Sequence, residues 1–300
     1  MQTDLPHVYT ITSTRPGPTV AILGGVHGDE YEGVIAALWL AKFLQSNLVG
    51  GNVRISAPAH PAAWHATLRE SPIDGENLAR VFPGSANGSD TQRVAHQITE
   101  RVIRGADLLI DLHSAGTNFE MPFLCGYHGG TGKISDESQR FADVFGADFT
   151  WQHSGQPLPG RSLSVAFDLK IPAIYTEGRG GKSVRHSDLQ GYIDGVQRVL
   201  HELEMLTSAP ISRVASCQVV GEGNTDAGIT AQIAGYIVTR AECGQWVSQQ
   251  EIIADIIDVH GEVLSQIYAP YDGFIMMRRR DARIEVGDSL FIFAKKDVRS

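Results

Sequence analysis

The sequence predicts an α/β fold: a mostly parallel or mixed sheet flanked by helices, followed by a smaller C-terminal all-β domain. Three observations predict it. Apolar runs that end in glycine or proline alternate with stretches of helical apolar spacing up to about residue 207. From about residue 212 the helical spacing stops, and short β-rich runs separated by Gly, Asp and Pro take over. A chain of 300 residues with 42% hydrophobic content is large enough for one big α/β domain and a smaller companion.

The elements follow in chain order. "TVAILGGVHG" reads as a fully buried strand running into a tight turn. "EYEGVIAALWLAKFLQS" follows as a helix, with Val34, Ala37, Leu38, Ala41 and Leu44 at helical spacing. "GNVRISAPA" is a second strand stopped by proline, and "DTQRVAHQITERVIRG" a helix ending at Gly105. "ADLLIDLHS" is a third strand with His113 just past its end. "ISDESQRFADVFGA" is helical, and "IPAIYTEGRGG" is a buried strand closed by glycines. "SDLQGYIDGVQRVLHELEML" is a helix with Ser187 as its N-cap. The expected division is an α/β domain over 1–207 and a β-rich barrel or sandwich over 208–300. Two tail stretches, "GQWVSQQEIIADI" and "ARIEVGDSLFIFA", each place a valine and a polar turn before an apolar strand, the pattern of a weak duplication.

Composition excludes several function classes. A formal charge of -9 and a pI near 5.6 argue against nucleic acid, whose phosphates require a basic face. An anionic ligand would need locally placed arginines. Cys125, Cys217 and Cys243 are far apart and lack CxxC spacing, so they read as small buried hydrophobes in a reducing compartment rather than as disulfides or zinc thiolates. No stretch nears about 18 consecutive apolar residues, and "MQTDLPHVYTITSTRPG" lacks a secretory pattern. No membrane partner and a cytoplasmic location are therefore expected.

In sheets of this class, functional residues gather beyond the C-terminal ends of the strands. His27 and Glu30 follow the first strand, and His113 follows "LLIDL". Each histidine alone is more readily a hydrogen-bonded structural residue. Together they form two imidazoles and one carboxylate, the donor set of a catalytic zinc site with its fourth position left for water. The Gly24-Gly25 turn is expected to bring backbone close to the ion. Glu177 ends another apolar strand and is the candidate general base. Glu32 reads as a first-turn helix acid.

"GGVHGDEYEG", "NLARVFPG", "DLHS" and "YTEGRGG", in this order, resemble the succinylglutamate desuccinylase/aspartoacylase family of the zinc carboxypeptidase-like superfamily. The resemblance implies one zinc per chain on His27, Glu30 and His113, Glu177 as general base, and hydrolysis of an amide joining an acyl group to an amino acid. Where family members commonly read Asn-Arg before x-Phe-Pro-Gly, this chain has Ala79 and Arg80, so one hydrogen-bond donor is missing. Arg80 is left to fork a carboxylate or stabilise the oxyanion. Asn77 falls where many zinc carboxypeptidases carry an aspartate that orients a zinc histidine, leaving Asp74 or Asp111 as alternatives. Arg161, Arg179 and Arg185 compete for the substrate anion. Arg179 is preferred for its place beside the base, and Asn77 joins the substrate-binding set. His128, His153 and His186 read as loop histidines without a partner at ligand spacing, structural or rim residues.

The tail resembles a lipoyl/biotinyl-like barrel, yet no lysine occurs between Lys182 and Lys295, which argues against a swinging-arm carrier. "YAPYDGFI" is expected to pack near the site's mouth. The expected function is a zinc-dependent amidohydrolase acting on an N-acyl amino acid or related small amide, with a homo-oligomer left open. A carboxypeptidase cutting a peptide C-terminus and a zinc-binding protein without turnover are the alternatives.

Overall fold

The computed structural model describes residues 5–222 and 228–297. The chain start (1–4) and the tail stretches 223–227 and 298–300 lie outside the described residues, as do the sequence expectations that fall on them.

The first nine strands are β1 (Val8–Thr12), β2 (Thr19–Gly24), β3 (Asn52–Ser56), β4 (Leu108–Leu112), β5 (Phe119–Glu120), β6 (Leu124–His128), β7 (Phe149–His153), β8 (Ala173–Glu177) and β9 (Cys217–Gly221). Side by side they run β1-β3-β2-β4-β8-β6-β7-β9, while β5 joins the C-terminal strands. Strands β3, β2, β4 and β8 are mutually parallel. Strand β6 runs antiparallel to β8 and parallel to β7, which is parallel to β9. Apart from the edge strand β1, which is antiparallel to β3, the sheet therefore consists of two parallel blocks of opposite direction that meet between β8 and β6.

The helices are α1 (Tyr31–Asn47), α2 (Pro61–Ala66), α3 (Asp90–Ile98), α4 (Lys133–Phe145), α5 (Ser162–Asp168) and α6 (His186–Glu202). On one face α1, α4 and α6 contribute Leu40, Phe145 and Val196 to a core with Ile22, Val53 and Ile110. On the other, α3 and α5 contribute Ile98 and Leu163 to a core with Leu23 and Leu109. Covered on both sides, β2 and β4 are buried along their whole length, which is why they read as continuous apolar runs.

Two local details depart from the sequence expectation. The helix expected to end at Gly105 is α3 followed by a π-helical turn, Thr99–Ile103, before Gly105 turns the chain with φ 72°. At α6 the helix starts at His186, so the cap position is Arg185, without a side-chain cap, and Ser187 lies inside the first turn, its hydroxyl donating to the Asp188 carboxylate at 3.2 Å.

The tail contains β10 (Ile229–Thr230), β11 (Gly235–Thr239), β12 (Trp246–Val247), β13 (Ile252–Ile257), β14 (Val263–Tyr268), β15 (Gly273–Arg279), β16 (Arg283–Ile284) and β17 (Ser289–Lys296). These form an antiparallel domain of two layers, β10-β17-β15-β12 and β14-β13-β11-β16, around a core that includes Ile253, Ile275 and Phe291. Strand β17 also pairs with β9, which joins this domain to the edge of the central sheet. The duplicated pattern is real in the backbone, with a different alignment from the two valines. Buried Val247 corresponds to buried Ile284, and three residues later Gln250 and Gly287 both take positive φ, 67° and 91°. The next acids, Glu251 and Asp288, each accept from the backbone N–H three residues earlier, at 2.9 and 2.8 Å.

Close packing of α1 on the sheet explains two glycines at which a side chain would not fit. A Cβ on Gly33 would lie 2.3 Å from the Leu112 carbonyl oxygen, and one on Gly24 2.6 Å from the Gly33 carbonyl oxygen. We predict that Gly33→Ala lowers stability by about 2 kcal/mol, because overpacking against backbone exceeds the gain of about 1 kcal/mol in helix propensity. Gly130→Ala, whose Cβ meets nothing closer than 3.9 Å, should stay within about 0.5 kcal/mol. Urea midpoints check both, and equal midpoints would contradict the packing account.

Candidate metal centre and its cavity

Strands β2, β4 and β8 are adjacent and parallel, so their C-terminal ends lie together. His27 follows β2 after Gly25 turns the chain with φ 77°, His113 follows β4 directly, and Glu177 is the last residue of β8. Backbone bonds from His113 N to Thr176 O (3.0 Å) and from Ala115 N to Gly178 O (3.1 Å) carry the β4–β8 pairing past the strands. Glu30 is the N-cap residue of α1, yet its side chain does not cap the helix. It is directed to the histidines instead.

The Glu30 carboxylate is the meeting point. Its Oε1 lies 2.8 Å from His27 Nδ1 and accepts from Arg69 Nη1 at 3.1 Å. Its Oε2 lies 2.9 Å from His113 Nδ1 and accepts from Ser114 N at 3.1 Å. The outer ring nitrogens are anchored as well. His27 Nε2 is 3.1 Å from Asn77 Oδ1, an oxygen that also accepts from Ala79 N, and His113 Nε2 is 3.2 Å from Asp111 Oδ2. The Asp111 carboxylate also accepts from the Ser162 hydroxyl. Both rings thus donate outward through Nε2 and turn Nδ1 inward.

A neutral imidazole that has given its proton to Nε2 presents a lone pair at Nδ1. A lone pair facing a carboxylate at such a distance is repulsive unless a cation or a proton lies between them. The ligand atoms of His27, Glu30 and His113 all fall within 4.8 Å of one another. This chemistry, two imidazoles and a carboxylate with outer partners, fits one divalent ion with a coordination position left open, and zinc uses such a set in catalytic sites.

Without the ion, a proton takes its place between His113 and Glu30, while His27 stays neutral. Burial, reinforced by Arg69, lowers the His27 pKa to about 4, so its ring is neutral. Burial pushes Glu30 up, but His27 and His113 outweigh it and hold the carboxylate well below its ordinary range. Burial likewise opposes charge on His113, and Asp111 and Glu30 overcome it, raising its pKa well above the usual histidine value. Glu177 is pushed up to about 8 by burial and then by repulsion from Glu30. Its Oε2 is buried without a hydrogen-bond partner. Glu32 lies in the first turn of α1, buried, and burial raises its pKa.

The centre opens into a cavity of about 300 Å³. Of the expected substrate residues, Arg80 lines it, together with Ala79 and Arg161. Asn77 does not line it; it caps the 3-10 turn Leu78–Arg80 and braces His27. Arg179 is also absent from the wall, its guanidinium lying 3.7 Å from Asp188 instead. Asp74 accepts from Thr91 at the start of α3, so of these two aspartates it is Asp111 that braces a histidine, His113. The tail reaches the cavity through Ile292 on β17 rather than through "YAPYDGFI", whose Tyr271 hydroxyl donates to Phe293 O at 3.2 Å. Gly24 serves the packing of α1, not an approach of backbone to an ion.

Sequence reasoning missed Arg69, which touches Glu30 and lines the cavity, and the wall formed by Tyr175, Trp151, His153 and His128. His128 and His153 are not loop residues. They end β6 and β7 and pair in register.

Because the folded-state pKa of Glu177 lies above its ordinary value, the native state holds a proton that the unfolded chain releases. We predict that stability of chelator-stripped protein falls as pH rises from about 4.5 to about 8, by up to about 1.4 kcal/mol per pH unit from this group. Glu177→Gln should remove that part of the slope. Urea unfolding across this range checks it, and equal slopes in the two proteins would contradict it.

The comparisons with known proteins agree with this geometry. Residues 16–203 match the model of the succinylglutamate desuccinylase/aspartoacylase catalytic domain. The N-alpha-acetyl-L-2,4-diaminobutyric acid deacetylase of Halomonas elongata is 28% identical over 95% of this chain and 84% of its own length. A succinylglutamate desuccinylase structure from a Silicibacter species superposes with a TM-score of 0.89 at 23% identity, over 97% of this chain and 88% of that one. The product-bound ectoine utilization protein of Ruegeria pomeroyi does so with a TM-score of 0.87 at 22% identity, over 96% and 88%. Among the described residues no helix is long and apolar enough to cross a membrane. The chain belongs to the succinylglutamate desuccinylase/aspartoacylase family.

Proposed function

We propose that the chain is a zinc-dependent amidohydrolase that removes the acyl group from an N-acyl amino acid, with one zinc per chain held by His27, Glu30 and His113. The reading rests on one observation: two inward-facing Nδ1 atoms converge on the Glu30 carboxylate, next to a buried Glu177 oxygen that has no partner. Zinc bound there supplies a water of lowered pKa and polarises the acyl carbonyl. Glu177 takes the proton from the attacking water and delivers it to the nitrogen of the departing amine. Arg80 and Arg161, both in the cavity wall, offer fork-shaped donors to the substrate carboxylate and to the developing oxyanion. Asn77 and Asp111 hold the two imidazoles in orientation.

The amino-acid side of the substrate is supported by the name of the Halomonas elongata relative, which places an acetyl group on a diamino acid. Ala79 lines the wall where an amide would otherwise stand, so carboxylate binding falls to the arginines. We also propose that residues 1–207 carry the chemistry, and that 208–300 form a barrel-like domain closing the cavity through Ile292.

Amine release from N-acetyl, N-succinyl and N-formyl amino acids, with N-acetyl-diaminobutyrate included and free dipeptides beside them, tests the reading. Release from one N-acyl class, abolished by chelator and restored by zinc, is the expected result. Cleavage of dipeptides alone would replace it with a carboxypeptidase, and zinc binding without any cleavage would replace it with a binding protein. Glu177→Gln should lower kcat by about 10²–10⁴-fold with zinc stoichiometry unchanged. Asp111→Ala should weaken zinc binding by about 10–100-fold, measured by competition with a chelator.

A further inference from the structure

The cavity wall contains a hydrogen-bond chain whose proton count can be settled. His153 Nδ1 lies 3.2 Å from the Gly221 carbonyl oxygen, and His153 Nε2 lies 2.6 Å from the Tyr175 hydroxyl. A carbonyl oxygen only accepts, so Nδ1 carries the ring proton. The ring is buried and neutral, its pKa lowered to about 3 by burial and then by His128. Nε2 is therefore a bare lone pair, and the short contact requires the Tyr175 O–H to donate. Burial, then the charge of Glu177, raises the Tyr175 pKa well above the ordinary tyrosine value, so the hydroxyl keeps that single proton.

This arrangement is built into the sheet. The Tyr175 ring covers Gly126 on β6, where a Cβ would lie 2.1 Å from its Cε1 atom, and stacks on His153 with ring centroids 5.5 Å apart. Tyr175 and Glu177 alternate to the same face of β8, about 7 Å apart along the strand, and both line the cavity.

We infer that Tyr175 contacts the substrate as a hydrogen-bond acceptor only, reading an N–H on its amine side, and that His153 is the positioning residue that enforces this role. With its proton given to His153, the hydroxyl has nothing to offer an acyl oxygen or a carboxylate. Those groups are left to Arg69, Arg80 and Arg161. An N–H of the scissile amide, close to the Glu177 carboxylate that protonates the leaving amine, is the donor that fits. The inference rests on the amidohydrolase reading for the identity of the substrate and on hydrogen bonding alone for the acceptor role.

Two measurements on the full-length, zinc-loaded protein test it. Imidazole ¹⁵N NMR, with the His153 signal assigned through His153→Gln, should show the Nδ1–H tautomer throughout neutral pH. An Nε2–H tautomer would free the Tyr175 proton and overturn the inference. The second compares binding of an N-acetyl amino acid with its O-acetyl hydroxy-acid counterpart by calorimetry, in Glu177→Gln and in Glu177→Gln/Tyr175→Phe. The first protein should favour the amide by about tenfold, and Tyr175→Phe should erase that preference while changing ester affinity less than about twofold. Equal affinity for the two compounds in the first protein, or binding of neither, overturns it. An intact preference in a wild-type protein without turnover strikes only the amidohydrolase reading.

Discussion

The adjacency of β2, β4 and β8 is the constraint on which the rest depends. Parallel neighbours end at the same edge of a sheet, and each of these strands delivers one member of the centre there: His27, His113 and Glu177. Their alignment is held by ladder bonds continued beyond the strands and by the Tyr192 hydroxyl, which donates to the His113 carbonyl at 2.5 Å. Glu30 reaches the same point only because α1 lies close on the sheet, where Gly24 and Gly33 leave room for it. The helix forgoes a side-chain cap at that residue. Local helix stability of the order of 1 kcal/mol is thereby given up for the position of one carboxylate.

Burying Glu30 among two imidazoles and an arginine is tolerable because each of its oxygens accepts a hydrogen bond, Oε1 from Arg69 and Oε2 from the Ser114 N–H. Glu177 is the opposite case. One of its oxygens is buried without a partner, and burial and the charge of Glu30 outweigh the pull of His113 and Arg69, so the fold maintains a carboxyl group of raised pKa at the cavity. Groups held at such a cost mark functional sites more often than structural ones. The cavity is also polarised. Arginines stand near the centre, and neutral acceptors, Tyr175 backed by His153, lie along the sheet face.

How much of this was legible in the sequence follows from which strands could be read. β2, β4 and β8 are short apolar runs closed by glycine or by a polar residue, so His27, Glu30, His113 and Glu177 stood out at their ends. The cavity wall did not, because it depends on β6 and β7 and on the reversal of direction between β8 and β6. Periodicity carries no signal for strand direction, and "LCGYH" and "FTWQH" look like loop histidines until they are placed side by side. Arg69 lies in an irregular stretch with no pattern that points it at Glu30. Arg179, two residues from the base, was drawn by sequence proximity toward the site, yet the Gly180-Gly181 turn with φ 64° and 76° leaves its guanidinium beside Asp188. Ser187 has the right chemistry for a cap, but α6 already begins at His186 and takes Ser187 into its first turn.

The central claim is that these strand ends create a single nitrogen- and oxygen-donor zinc site. X-ray absorption at the zinc edge, on protein loaded with one equivalent of metal, addresses it most directly. The account predicts a shell of light scatterers at about 2.0–2.1 Å with the multiple-scattering signature of two imidazoles, lost together in His27→Ala/His113→Ala. A sulfur scatterer at about 2.3 Å, or a hydrated ion without imidazole, would contradict it.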